Sequence, residues 1–256
     1  MEQIKQLIEK LSNLIDKEQY KKALETYEKS AQSILETAIS PLHHKALLLL
    51  GSKTYYFNQK YNASNACLSR LQRKYKEIDL NIDYIKSKFN ILCAKGKTTE
   101  ALGFIKRAIS QDWPQDEYHV LYYNLGKAYF WNGDYFEANS CLQQCYRYYT
   151  SISNRYMLGN VTYMLGFTAF QRSFFDISGS FYEKALEHFR DAGENDKVGG
   201  TYQMLGILAY RTGRYEDATE NIRLAKSYFQ KCKNQTGIIE SDIAAARVSI
   251  YLEEYE

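Results

Sequence analysis

The sequence predicts an all-α chain: an α-α superhelix (solenoid) of about six helix pairs plus one extra C-terminal helix. Three observations predict it. An aromatic position recurs at Tyr20, Tyr61, Tyr135, Phe175, Tyr215 and Tyr255, with Thr98 filling the one gap, at steps of about 37 to 41 residues, which is a solenoid-type period. Behind each mark come a small side chain (Ala23, Ser64, Ala101, Ala138, Ser178, Ala218), then a large one (Tyr27, Leu68, Ile105, Leu142, Tyr182, Ile222), then Ser30, Leu71, Ala108, Cys145, Ala185 and Ala225. These stand at steps of three and four, which put them on one helical face. The only two prolines, Pro41 and Pro114, fall between units, where a helix has to stop.

Taken in order, helices are expected over about 2–15, 18–37, 42–57, 60–76, 81–94, 98–110, 117–131, 135–150, 155–171, 175–191, 195–211, 215–231 and 235–252. The small residue of each second helix lets a neighbour approach, and the large one fills the space beside it. On the first helices, Leu125-Gly126, Leu165-Gly166 and Leu205-Gly206 repeat, while the first two units lack this pair at that spacing. Gly96, Gly133 and Gly213 fall in the turns inside units, where a positive φ is tolerated. One helix pair cannot bury both of its apolar stripes, so the units must stack. No Pro/Ser-rich linker divides the chain, and residues 1–256 read as a single repeat domain. The segment from Ile238 to Leu252 reads as the first helix of a seventh unit, with Tyr255 as its mark and the start of its second helix. The sequence therefore reads as a fragment of a longer protein, with Ile239, Ile243, Val248 and Ile250 making the outer face of that helix partly apolar.

Composition and motifs exclude most chemistry. The net charge of +3 is too small for a nucleic-acid binder, and the basic clusters at 70–76 and 95–107 read as solvated faces. The longest apolar run, Ala46 to Leu50, is far short of a membrane span. Residues 1–10 mix charges among Ile4, Leu7 and Ile8, so they make no signal-peptide core, and a cytoplasmic location is expected. Five cysteines without CxxC spacing read as reduced thiols, and neither a metal nor a cofactor is expected. Gly96-Lys97-Thr98 looks like the end of a phosphate-binding loop, but Ile91 stands where that loop needs glycine. No catalytic motif is present, and no enzyme is expected.

The Leu-Gly pair, the turn glycine and the Gly-x-Tyr-x-x-Ala spacing resemble the tetratricopeptide repeat over essentially the whole chain. The period is longer than usual for that repeat and is similar to the variety in bacterial regulators and kinesin-light-chain-like adaptors. The resemblance implies a peptide- or protein-binding scaffold or sensor domain, the regulatory part of a larger bacterial signalling or transcription-control protein. An alternative is a self-assembly module acting through the solenoid ends or convex face, with a homodimer as its product.

In this repeat the first helix of each unit lines the concave wall, which implies a groove of Lys86, Asn90, Tyr123, Asn124, Lys127, Trp131, Asn160, Tyr163, Phe167, Gln203, Tyr210 and Arg211. The residue types suit an extended peptide. Asn and Gln carry a donor and an acceptor side by side. Aromatic walls bury apolar side chains, and Lys or Arg holds a carboxylate. Lys86, Asn90 and Asn124 match three positions of the carboxylate clamp of chaperone-binding relatives. Asn160 and Met164 stand where the other two need basic residues, so a looser peptide groove is expected rather than a clamp.

Overall fold

A computed structural model describes residues 2–17, 19–37 and 39–255. Its described residues form helices and turns without a strand. The helices are α1 (Glu2–Asp16), α2 (Tyr20–Thr26), α3 (Gln32–Leu35), α4 (Pro41–Phe57), α5 (Tyr61–Lys74), α6 (Ile82–Ala94), α7 (Thr98–Ile109), α8 (Gln115–Asn132), α9 (Tyr135–Ser151), α10 (Arg155–Gln171), α11 (Phe175–Asp191), α12 (Asn195–Arg211), α13 (Tyr215–Cys232) and α14 (Gln235–Tyr255). A π-helical turn, Tyr27–Ala31, joins α2 to α3, and a 3-10 turn, Lys76–Leu80, follows α5. Two compact units result, residues 1–132 and 133–256.

In the first unit α4 packs on α5 and α6 on α7, while α4 also meets α6 and α6 meets α8. In the second unit α10 pairs with α11 and α12 with α13, α11 touches α12, and α14 lies on both α13 and α12. Each unit is thus built of helix pairs whose first helices pack on first helices.

The steric marks lie where the spacing predicts. Ala23, Ser64, Ala101, Ala138, Ser178 and Ala218 are all fully buried, and the large residues after them are at most 3% exposed. Two of the Leu-Gly glycines, Gly166 and Gly206, are demanded by contact. A Cβ on Gly166 would stand 2.8 Å from the Tyr182 ring, and one on Gly206 would stand 2.8 Å from Ile222. In the second repeat the Leu-Gly pair, Leu50-Gly51, stands one position early, and Ser52 takes the place of the glycine: Ser64 Oγ donates to Ser52 O at 2.7 Å, as Ser178 Oγ donates to Gly166 O at 2.9 Å.

Three expectations are corrected. Ser30 was to share the buried face, but the π-helical turn inserts one residue into the register and Ala31 is buried there instead. Val248 points inward and is 3% exposed, packed with Ala209 and Ile222, whereas Ile239, Ile243 and Ile250 stand out at 50–58% exposure. Tyr255 was to open a new helix, but α14 extends to it without a break; its side chain lies outside the described residues.

The turns repeat as strictly as the helices. Gln59, Gly96, Ser173 and Gly213 have positive φ inside pairs, Ser153, Gly193 and Lys233 have it between pairs, and Gly133 has it in the link from α8 to α9. The residue after the turn then donates five positions back, as in Lys97 N–H to Leu92 O, Phe174 N–H to Ala169 O and Arg214 N–H to Ala209 O, each at 2.9 Å. This is the Schellman closure, which satisfies helix-end carbonyls. Among the described residues, side-chain caps start helices at Ser40, Asn81, Asn154 and Asn234.

Candidate functional site

The second unit holds a cleft of about 260 Å³ between α10, α12 and α14, the first helices of three successive pairs. Asn160 and Tyr163 enter it from α10, Lys197, Gly200 and Gln203 from α12, and Thr236, Gly237 and Glu240 from α14. Phe189 and Phe229, near the ends of α11 and α13, supply its apolar lining. Both rings are placed by glycines: a Cβ on Gly159 would stand 2.6 Å from Phe189, and one on Gly199 would stand 2.9 Å from Phe229.

The polar groups are held by one another. Asn160 Nδ2 donates to Tyr156 O at 2.9 Å, which fixes the amide and leaves one N–H and the carbonyl oxygen for a ligand. Gln203 Nε2 reaches Glu240 at 3.4 Å. Asp196 accepts from Asn234 Nδ2 at 2.7 Å, and Asn234 Oδ1 caps α14 by accepting from Gly237 N–H at 2.9 Å. Burial, with the Glu240 carboxylate beside it, pushes the Tyr163 phenol up to about 12. It therefore stays protonated at neutral pH, able to donate and to accept. The cleft combines amides, a neutral phenol, carboxylates and aromatic faces, which are groups that bind.

The remaining predicted groove residues fall into separate settings. In the first unit Asn124 Nδ2 donates to Val120 O at 3.0 Å, the same bond that Asn160 makes, but Asn124 is buried at 7% exposure where Asn160 is half-buried. Lys127 lies over the rings of Phe89 and Tyr123, at 5.6 and 5.8 Å, and Lys86 sits 3.7 Å from Asp83. Asn90 is half-buried, and Trp131 is exposed against Phe130 at 5.0 Å. In the second unit Tyr210 belongs to a ring cluster with Tyr215 and Tyr251, Arg211 lies 5.9 Å over Phe170, and Phe167 is half-buried. Of the predicted set, the cleft brings together Asn160, Tyr163 and Gln203.

No protein-family model matches the chain, and no curated protein matches it. Solved structures do. A Rap protein complexed with competence and sporulation factor superposes with a TM-score of 0.71 at 12% identity, covering 99% of this chain and 72% of that one. NprR in complex with its cognate peptide NprX gives 0.63 at 16% identity, with 99% and 75% covered. A signal-transduction ATPase with a tetratricopeptide repeat sensor, from Pyrococcus horikoshii, gives 0.66 at 13% identity, with 97% and 42% covered. The fold is a tetratricopeptide-repeat fold.

Within that repeat, the cleft shows what spacing alone missed. Asp196, Gly200, Phe189, Phe229 and Glu240 were not singled out. The signal for the rings was present: Phe189 and Phe229 stand one repeat apart, and so do Gly159 and Gly199. Asp196 and Glu240 carry no such mark, because polar residues on a repeat's open wall are free of the steric period.

Proposed function

We propose that this chain is a non-enzymatic tetratricopeptide-repeat sensor domain that binds a peptide or protein segment. In this reading it acts in the cytoplasm as the regulatory part of a larger bacterial signalling or transcription-control protein, without touching nucleic acid itself. The carrying observation is the cleft, in which α10 and α12 bring Asn160, Tyr163 and Gln203 together over aromatic walls, with Glu240 of α14 beside them. The similar structures support it, since one of them holds a cognate peptide and another carries its repeats as a sensor. The test is selection of phage-displayed random dodecapeptides on the immobilised chain, followed by titration of an enriched synthetic peptide. Replacing both Asn160 and Gln203 by alanine is expected to weaken that peptide at least tenfold while leaving the melting temperature nearly unchanged. Equal affinity of parent and double variant overturns the reading.

Self-association is a second reading, favoured by the exposed row Ile239, Ile243 and Ile250 along one face of α14. Light scattering tests it: a dimer that Ile243→Lys dissolves supports the reading, and a monomer at high concentration removes it.

A further inference from the structure

Gly199 and Gly200 stand together inside α12, and they are accounted for differently. A Cβ on Gly199 would press on the Phe229 ring, so packing demands a glycine there. A Cβ on Gly200 would meet nothing within 4 Å, and Gly200 has no positive φ. A helix interior disfavours glycine more than any residue but proline. Neither contact nor backbone conformation within the unit accounts for it. Gly237, the other glycine on the cleft wall, is accounted for by packing, since its Cβ would stand 2.6 Å from Phe229.

Gly200 lies on the cleft wall, one helical turn before Gln203. Bare helix backbone at such a place admits the close approach of another backbone. The cleft, at about 260 Å³, is smaller than the roughly 300–1,000 Å³ that encloses a drug-sized ligand. It suits a short stretch of a longer chain crossing it. Two side-chain amides, Asn160 and Gln203, share the wall and match peptide groups in donor and acceptor.

We propose that Gly200 is the close-approach point of the site, where the main chain of an extended peptide crosses α12 between the amides of Asn160 and Gln203. This rests on the peptide-binding reading and adds a residue that determines what fits. A side chain at Gly200 would stand in the space the peptide backbone takes.

The test is a glycine-to-alanine pair read by fluorescence polarisation with the phage-selected dodecapeptide and by thermal melting. Gly103, in α7 of the other unit, is the control: its added Cβ meets only Arg107 Nη1 at 3.7 Å, an ordinary contact. Both Gly200→Ala and Gly103→Ala are expected to raise the melting temperature by about 2 °C through helix propensity. Only Gly200→Ala is expected to weaken the peptide, by tenfold or more. If Gly200→Ala binds within twofold of the parent while Gln203→Ala does not, the inference is wrong and the peptide reading stands. A fall in melting temperature with Gly200→Ala shows that the fold itself needs the glycine, and also overturns the inference. If no dodecapeptide is enriched on the parent, the peptide reading fails and takes the inference with it.

Discussion

Gly166 and Gly213 show how one residue type serves two unlike needs. At Gly166 the backbone is ordinary helix and the space is full; at Gly213 the space is empty and φ is +74°. Gly166→Ala is therefore an overpacking change, expected to lose about 1–3 kcal/mol in denaturant unfolding. Gly213→Ala is a conformational change, expected to lose about 1–2 kcal/mol by forcing an L-residue into the left-handed region. His44 offers a pH test. It is 1% exposed, and neither ring nitrogen has a hydrogen-bond partner among the described residues. Burial lowers its affinity for a proton, and Lys74 and Arg70 lower it further, with Tyr75 edge-on at 5.7 Å. His188 in the second unit is lowered too, by burial and then by Arg155. A histidine held neutral binds fewer protons folded than unfolded. Its contribution is thus full above about pH 6.5 and is lost as the pH falls below that toward the folded value. Unfolding midpoints measured from pH 8 to 5 are expected to fall below pH 6.5, with a shallower fall in His44→Leu. An unchanged slope in that variant contradicts the assignment.

Among elements, the turns repeat most regularly and were the least legible. Among the described residues with positive φ, Gly96, Gly133 and Gly213 announce themselves in the sequence; Gln59, Ser153, Ser173 and Lys233 hold the same conformation without the telltale residue, and Gly193 lay outside the turns considered. What enforces it there is the Schellman closure, not composition. Ser173→Gly and Ser153→Gly are accordingly expected to stabilise by about 0.5–1 kcal/mol in thermal or denaturant melts. Helix bounds were legible to within a residue or two nearly throughout, because the aromatic mark and the small residue recur wherever two helices touch. The register failed at Ser30 because a π-helical turn leaves no composition signature. Asn234 joins element to site: it caps α14 and holds Asp196. Asn234→Ala is expected to lose about 0.5–2 kcal/mol, as for a lost N-cap, and a neutral result contradicts the capping role.

At the scale of the whole molecule, packing wrote itself into the sequence and the lining of the cleft did so only in part. Every layer must fit the next, so small and large residues recur with the repeat, and the fold follows from that recurrence. An open wall is under no such constraint. Asn160, Tyr163 and Gln203 were reachable because first helices line the wall, whereas Asp196 and Glu240 became visible only once α12 and α14 were set side by side. Asn124, which the same rule also selected, is buried. The measurement that bears most directly on the central claim is amide hydrogen exchange of the intact chain with and without a saturating phage-selected dodecapeptide. New protection is expected in residues 196–203 and 234–240, the α12 and α14 walls of the cleft. Protection confined to the first unit, or to the start of α11 around Phe175, contradicts the claim that this unit binds through its first helices.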